Sequence, residues 1–186
     1  RGLPQDFIRS VNAINRDDNA WAKFERAEID ANSFDALFAA EAEALGHALE
    51  GAAVIACLAG DVRPYMVNAL DRLKAEGFGI GCITNNVKAG RGAAMARSED
   101  KALQVESIMA RFDHVIESSK AGVRKPDPRI YQMMCEALSV SPETCIYLDD
   151  LGINCNPAAT LGMHAIKVTS GEQALADLES AVGLSL

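Results

Sequence analysis

Hydrophobic and polar residues follow two different patterns along this chain. Up to about residue 58 apolar side chains recur every three or four positions, as in Phe7, Val11 and Ile14, which is the spacing of amphipathic helices. Beyond residue 60, short apolar runs alternate with helical stretches. The first part therefore predicts a small helical bundle, and the rest predicts alternating helices and strands.

The first part carries signals for four helices. We expect the third of them to be capped by Asn32 or Ser33, with Phe34 and Phe38 on its buried face. A fourth, short helix is expected over residues 52–58. These helices hold enough apolar side chains to form a core of their own.

The clearest boundary is at Gly60 to Pro64, because glycine frees the backbone and proline suits the first turn of a new helix. We expect a helical domain over residues 1–60 and an α/β domain over residues 61–186. The elements expected in the second domain are a helix ending at Gly77, a strand at 78–83, a helix at 93–111, a strand at 112–117, a polar loop at 118–127, a helix from Pro128, a strand at 145–148, a helix at 157–161, a strand at 165–168 and a helix at 172–182. This order predicts a doubly wound, Rossmann-like parallel sheet with helices on both faces.

Polar residues follow three successive strands of this predicted sheet. They are Thr84, Asn85 and Asn86 after the first strand, Lys125 in the loop after the second, and Asp149 and Asp150 after the third. Each group alone has an ordinary explanation as a turn, a solvated loop or a helix cap. However, two adjacent carboxylates repel each other, and a site that keeps both charged needs a cation. Oxygen ligands favour Mg²⁺ among the candidate metals.

The composition excludes several other functions. A formal net charge of -8 argues against binding to nucleic acid or to an anionic membrane. No apolar run approaches the roughly 18 residues of a membrane span, and no signal peptide is evident. The cysteines form no Cys-x-x-Cys pair, so we expect them to be reduced core residues in a cytoplasmic protein; they are Cys57, Cys82, Cys135, Cys145 and Cys155.

The order of these polar groups resembles the second, third and fourth motifs of the haloacid dehalogenase (HAD) superfamily. The resemblance extends to the residue identities in the segments Gly122–Pro128 and Leu148–Asn154. The chain is similar above all to the branch that contains the N-terminal phosphatase domain of soluble epoxide hydrolases and the corresponding domain of some acyl-CoA dehydrogenase-like proteins. The helical domain then resembles the cap of this family.

The resemblance implies hydrolysis of a phosphomonoester. In the family, an Asp on the first strand attacks the phosphoryl group, and water then hydrolyses the aspartyl-phosphate. By this resemblance, Thr84 and Asn85 bind the phosphoryl oxygens, and Lys125 neutralises the phosphate and the nucleophile. Thr84 and Lys125 are thus the expected catalytic residues.

The same resemblance assigns the acid pair to the metal. Asp150 is expected to ligate Mg²⁺, with Asp149 as a second ligand or an outer-shell partner and Asn154 orienting that shell. The nucleophile motif, Asp-x-Asp or an equivalent, is absent from residues 1–186. We therefore expect the nucleophile motif and the first strand of the core to lie upstream of Arg1. The alternative is that residues 1–186 are an inactive fragment.

Two alternatives stay open at this point. A hydrolytic 2-haloacid dehalogenase keeps the same fold but attacks carbon and works without a metal, and a catalytically degenerate HAD-fold protein would serve as a binding module. For the phosphatase we expect a small phosphorylated molecule as substrate, and a monomer or homodimer.

Overall fold

The first segment of the chain is helical. The computed structural model describes residues 2–57, 62–86 and 99–186. Within residues 2–57 the helices are α1 (Phe7–Ala13), α2 (Ala20–Glu25), α3 (Ala31–Ala44) and α4 (Gly51–Ile55). The four helices expected from the apolar spacing are therefore present.

Side chains cap two of these helices. The side chain of Asn19 accepts a hydrogen bond from the backbone N–H of Ala22 at the start of α2. Asp30 accepts from the backbone N–H of Ser33 at 2.8 Å and caps α3. The prediction of Asn32 or Ser33 as this cap was wrong, because the carboxylate two residues earlier already satisfies the free N–H group.

Aromatic rings form the core of this helical segment. Phe24, Phe34 and Phe38 are fully buried. The rings of Phe24 and Phe34 stack with centroids 4.5 Å apart, and Trp21 meets Phe34 edge-on at 5.5 Å. Phe34 and Phe38 are four residues apart on α3, so both point to the same side of the helix.

The remainder of the chain alternates helices and strands. Its elements are α5 (Pro64–Ala75), β1 (Gly81–Thr84), α6 (Glu99–Met109), β2 (His114–Glu117), α7 (Ser118–Ala121), α8 (Pro128–Leu138), a 3₁₀ turn (Pro142–Thr144), β3 (Ile146–Asp149), α9 (Gly152–Thr160), β4 (His164–Lys167) and α10 (Gly171–Val182). The predicted α/β class is confirmed. Residues 93–98 of the predicted helix at 93–111 lie outside the described part.

The described strands pair two by two, β1 with β2 and β3 with β4. The second pair is parallel, and its register sets Ile146 opposite His164 and Asp149 opposite Lys167. Each described strand thus has a partner on one side. The carboxyl end of β3 delivers Asp149 to the edge where open α/β sheets place their sites.

Several element boundaries differ from the sequence prediction. Residues 78–80 precede β1, since the N–H of Phe78 still closes the end of α5 by donating to Leu73 O. The segment expected to be a polar loop begins with the short helix α7. Helix α9 begins at Gly152 and includes Pro157, whereas the sequence predicted a start at Pro157.

Contacts divide the chain into two units. The first takes in Arg1–Gly60, Asn85–Val105 and Glu117–Arg124, and the second takes in Asp61–Thr84, Glu106–Ile116 and Lys125–Leu186. The predicted division into residues 1–60 and 61–186 differs in placing all of 85–105 and 117–124 in the second domain, and it stays a prediction.

The second unit has a core of its own. Leu73, Ile80 and Leu178 are buried together and join α5, the residue before β1 and α10. All five cysteines are free; Cys135 and Cys155 are buried, but Cys57 is exposed, so the expectation of a core position was wrong for that residue. Among the described helices, none combines the length and the apolar character that crossing a membrane requires.

Candidate active site

The predicted site residues fall mainly in the second unit. Asn85 belongs to the first unit, whereas the second contains Thr84, Lys125, Asp149, Asp150 and Asn154. Thr84 is half-buried at the last position of β1. Direct contacts join Lys125, Asp149 and Asn154 into one cluster, while Thr84 is placed by its position at the strand end.

Lys125 and Asp149 form a buried ion pair. The Nζ of Lys125 lies 2.7 Å from Oδ2 of Asp149, and the two side chains are only 13% and 6% exposed. Lys125 enters the site from a loop in which the Lys125–Pro126 peptide bond is cis. Such a pair is costly to bury unless both charges are well matched, so its position is strongly specified.

Every acceptor position of the Asp149 carboxylate is occupied. Oδ2 also accepts a hydrogen bond from the hydroxyl of Tyr147 at 2.7 Å. Oδ1 accepts from the backbone N–H of Leu151 at 2.9 Å and from Nδ2 of Asn154 at 3.0 Å. A carboxylate offers about four acceptor sites, so these four donors leave none for a metal.

The pKa of Asp149 reflects this environment. Burial alone raises the pKa of the carboxyl, but the Lys125 ammonium, followed by the hydrogen bonds from Leu151 and Tyr147, lowers it further than burial raises it. The net pKa lies below the ordinary value of Asp. Asp149 is therefore ionised beside the Lys125 ammonium. The sequence pattern indicated that a cation must offset the paired carboxylates, and for Asp149 that cation is Lys125.

Asp150 differs from its neighbour in every respect. It is exposed, and its carboxylate forms no hydrogen bond or ion pair with the part of the chain that the structure describes. Its oxygens are thus the available pair at the end of β3, and they are of the ligand type that Mg²⁺ prefers.

The donor set fits Mg²⁺ in part. Over residues 2–57, 62–86 and 99–186 no group of three His, Cys, Asp or Glu residues could enclose a metal ion. Mg²⁺ at phosphoryl-transfer sites usually keeps several waters and uses only one or two carboxylates with the substrate phosphate. Asp150 fits one such ligand, whereas Asp149 fits the outer-shell alternative better than direct ligation.

The turn after β1 is held by polar contacts within the first unit. Nδ2 of Asn85 lies 3.4 Å from Oε2 of Glu25, and Nε of Arg124 lies 2.8 Å from the same oxygen, close enough for an ion pair although its N–H makes no hydrogen bond. Asn86 is buried, and its Oδ1 accepts from the N–H and the hydroxyl of Ser119. Asn86 therefore has a structural role.

Sequence reasoning missed Tyr147, Tyr131 and Glu25. The ring of Tyr131 packs edge-on against Tyr147 with centroids 5.2 Å apart, and its hydroxyl donates to the backbone O of Asn154 at 2.8 Å. Strand periodicity was the available signal for Tyr147, because residues 147 and 149 project from the same side of β3. For Glu25, the signal was a carboxylate at a core-facing helical position.

Residues 4–155 of the chain match the haloacid dehalogenase-like hydrolases. The chain belongs to this family. The HAD resemblance inferred from Thr84, Lys125 and the acid pair is thereby confirmed.

Curated relatives support the branch as well. The chain is 38% identical over 123 residues to acyl-CoA dehydrogenase family member 10 of Mus musculus, and 36% identical over 121 residues to bifunctional epoxide hydrolase 2 of Sus scrofa. These alignments cover 66% and 65% of this chain but only 11% and 21% of the relatives. The chain thus corresponds to a small part of their length.

Relatives with two different activities are also similar to this HAD chain. A phosphatase of Mycobacterium tuberculosis is 34% identical over 61% of the chain and 47% of its own length. An (S)-2-haloacid dehalogenase of a Pseudomonas species is 29% identical over 56% of the chain and 43% of its own length.

Solved structures agree on the fold. A HAD phosphatase from Thermococcus onnurineus superposes with a TM-score of 0.59 at 19% identity, covering 98% of this chain and 80% of the other. A HAD enzyme from Bacteroides thetaiotaomicron, in complex with magnesium and inorganic phosphate, gives 0.57 at 19% identity, with 90% and 85% covered. The Rossmann-like α/β fold of the HAD family is thus established for this chain.

Proposed function

We propose that the intact protein is a Mg²⁺-dependent phosphatase that hydrolyses a small phosphorylated molecule through an aspartyl-phosphate. The observation that carries this proposal is the division of the acid pair. Asp149 is buried and bound to Lys125, while Asp150 next to it keeps an exposed carboxylate. A fixed ammonium and an adjacent free carboxylate at one strand end are what charge neutralisation of a phosphoryl group requires.

Each of the predicted site residues then has a defined role. The hydroxyl of Thr84 and the amide of Asn85 donate hydrogen bonds to the phosphoryl oxygens, and the Lys125 ammonium balances the negative charge that develops there. Asp149 anchors Lys125 through the ion pair. The Lys125–Asp149 pair is already formed, so it should need little reorganisation during the reaction.

The metal belongs to Asp150 in this proposal. Mg²⁺ held by Asp150 would supply a Lewis acid that offsets the charge on the phosphoryl oxygens. Asn154 donates to Asp149 and so fixes the carboxylate that precedes the metal ligand.

The nucleophile is proposed to lie upstream of Arg1. β1 pairs only with β2 among the described strands, and β3 only with β4, so both pairs have edges to which a further strand can add. An Asp on such a strand would form the aspartyl-phosphate, which water then hydrolyses.

The test is turnover of p-nitrophenyl phosphate by the intact protein. We expect hydrolysis that requires Mg²⁺ and stops in excess chelator, and we expect Asp150→Asn to lower kcat by at least about 10²-fold, since a ligand of the charge-balancing metal is lost. Asp177→Asn, an equally exposed carboxylate on α10, is the matched control and should leave the rate unchanged. Turnover that persists in chelator would rule out this mechanism.

A hydrolytic 2-haloacid dehalogenase is the second candidate, favoured by the similarity to the Pseudomonas enzyme. It predicts halide release from a 2-haloalkanoic acid without added metal. A catalytically degenerate binding module is the third candidate. It predicts that the protein binds inorganic phosphate but hydrolyses neither a phosphomonoester nor a 2-haloalkanoic acid. A cytoplasmic location and a monomeric or homodimeric state remain predictions from the sequence.

A further inference from the structure

Tyr147 brings a phenol hydroxyl into the Lys125–Asp149 pair. Its Oη donates to Oδ2 of Asp149 at 2.7 Å, the same oxygen that Lys125 Nζ approaches to 2.7 Å. Tyr147 and Asp149 project from the same side of β3, so the strand geometry itself sets the phenol beside the carboxylate.

Packing alone does not account for the hydroxyl. The Tyr147 ring meets Tyr131 edge-on at an interplanar angle of 74°, a contact that the ring of Phe would make equally well. The hydroxyl group is what distinguishes tyrosine at this position, and it donates to the carboxylate that holds Lys125.

The other oxygen of Asp149 is held from the opposite side. Leu151 N and Asn154 Nδ2, at the loop and the first turn of α9, both donate to Oδ1. With Tyr147 and Lys125 on Oδ2, the carboxylate plane is fixed at both ends. The position of the Lys125 ammonium follows from that plane, because a hydrogen-bonded ion pair is directional.

We propose that Tyr147 is a positioning residue. Its hydroxyl fixes Asp149 in the orientation that pairs with Lys125. The effect of Tyr147 on the reaction rate rests on the proposed phosphatase function. Its effect on the position of the Lys125 ammonium does not.

The first experiment is Tyr147→Phe in the intact protein, which keeps the ring and removes one oxygen. We expect kcat for p-nitrophenyl phosphate to fall about tenfold, because small displacements of a charge-balancing group are costly in the transition state. KM and the Mg²⁺ concentration for half-maximal rate should change less than about twofold. Tyr65→Phe is the matched control, since it removes a phenol that donates to another carboxylate, Glu172, at 3.1 Å.

The second experiment measures Lys125 directly, without turnover. Acylation by an N-hydroxysuccinimide ester, followed by peptide mass spectrometry, should modify Lys125 at least threefold faster in Tyr147→Phe than in the wild type. Lys120, whose side chain is 75% exposed, is the internal reference and should react equally in both proteins.

The two experiments separate the two proposals. Faster acylation of Lys125 in a protein that hydrolyses no phosphomonoester supports the positioning role and refutes the phosphatase. Unchanged acylation overturns the positioning role whatever happens to kcat.

Discussion

Asp149 and Asp150 show how one residue step changes the chemistry of a side chain. Asp149 is 8% exposed and has four donors, while Asp150 is exposed to solvent. Burying a carboxylate without partners costs several kcal/mol, so the donors around Asp149 are a condition for its position. Asp150 is therefore the carboxylate that we propose as the metal ligand.

Removing the partner of Asp149 should destabilise the protein strongly. Lys125→Met leaves a buried carboxylate without its cation, and we expect the free energy of unfolding to fall by about 3–5 kcal/mol. Urea denaturation of the intact protein measures this. Lys120→Met, at an exposed lysine, should change it by less than about 0.5 kcal/mol.

A double variant distinguishes charge from packing. Adding Asp149→Asn to Lys125→Met removes the unpaired charge, so we expect the double variant to recover part of the lost stability. If the two losses simply add, the ion pair is not what holds this site together.

At the scale of elements, Asp113 connects the residues that precede β1 and β2. Its backbone N–H donates to Ile80 O, its Oδ2 accepts from the Ile80 N–H at 2.8 Å, and its Oδ1 lies 2.8 Å from Lys74 Nζ. The Lys74 hydrogen bond, followed by that from Ile80, holds the pKa of Asp113 below its usual range. Asp113 thus links the end of α5 to both β1 and β2.

This link should appear in the acid dependence of stability. Because the folded pKa is lowered, the contribution of Asp113 is present above its unfolded pKa of about 3.9 and is lost as the pH falls through the folded pKa. Asp113→Asn should therefore lower stability at pH 7 and flatten the decrease below about pH 4. Thermal unfolding from pH 2.5 to 7 checks this, with Asp177→Asn as control. A curve parallel to that of the wild type would contradict it.

The order of elements could be predicted from periodicity, but their ends could not. Apolar spacing located α3 and β3, whereas the start of α9 at Gly152 was missed because Pro157 was taken as a helix start. Proline is tolerated inside this helix, and only the backbone conformation shows it. The helix α7 was missed because Ser118–Ala121 is short and contains three polar residues, so it carries no apolar period.

At the scale of the whole chain, the described residues include a hydrophobic cluster in each of the two units. The first contains the aromatic side chains of α2 and α3, and the second joins α5 with α10 around Leu73 and Leu178. Each core belongs to one of the two units. A core substitution should thus act first on its own unit.

Phe34→Ala tests this separation. Removing a fully buried ring costs about 3–5 kcal/mol where it occurs. We expect faster amide hydrogen exchange mainly in α2 and α3, with a smaller effect in α8 and α10. Leu178→Ala should give the converse pattern. Equal acceleration throughout the chain in both variants would show that the two cores unfold together.

The sequence by itself determined the α/β class, the HAD family and the residue types at the strand ends, because periodicity and motif order are local properties of the chain. The family resemblance named Asp150 as the expected ligand and left Asp149 as either a second ligand or an outer-shell partner. Only the tertiary structure shows which contacts separate them, because Lys125, Tyr147, Leu151 and Asn154 converge on Asp149. That convergence depends on side chains up to 24 positions apart meeting at the end of β3, which no local pattern encodes.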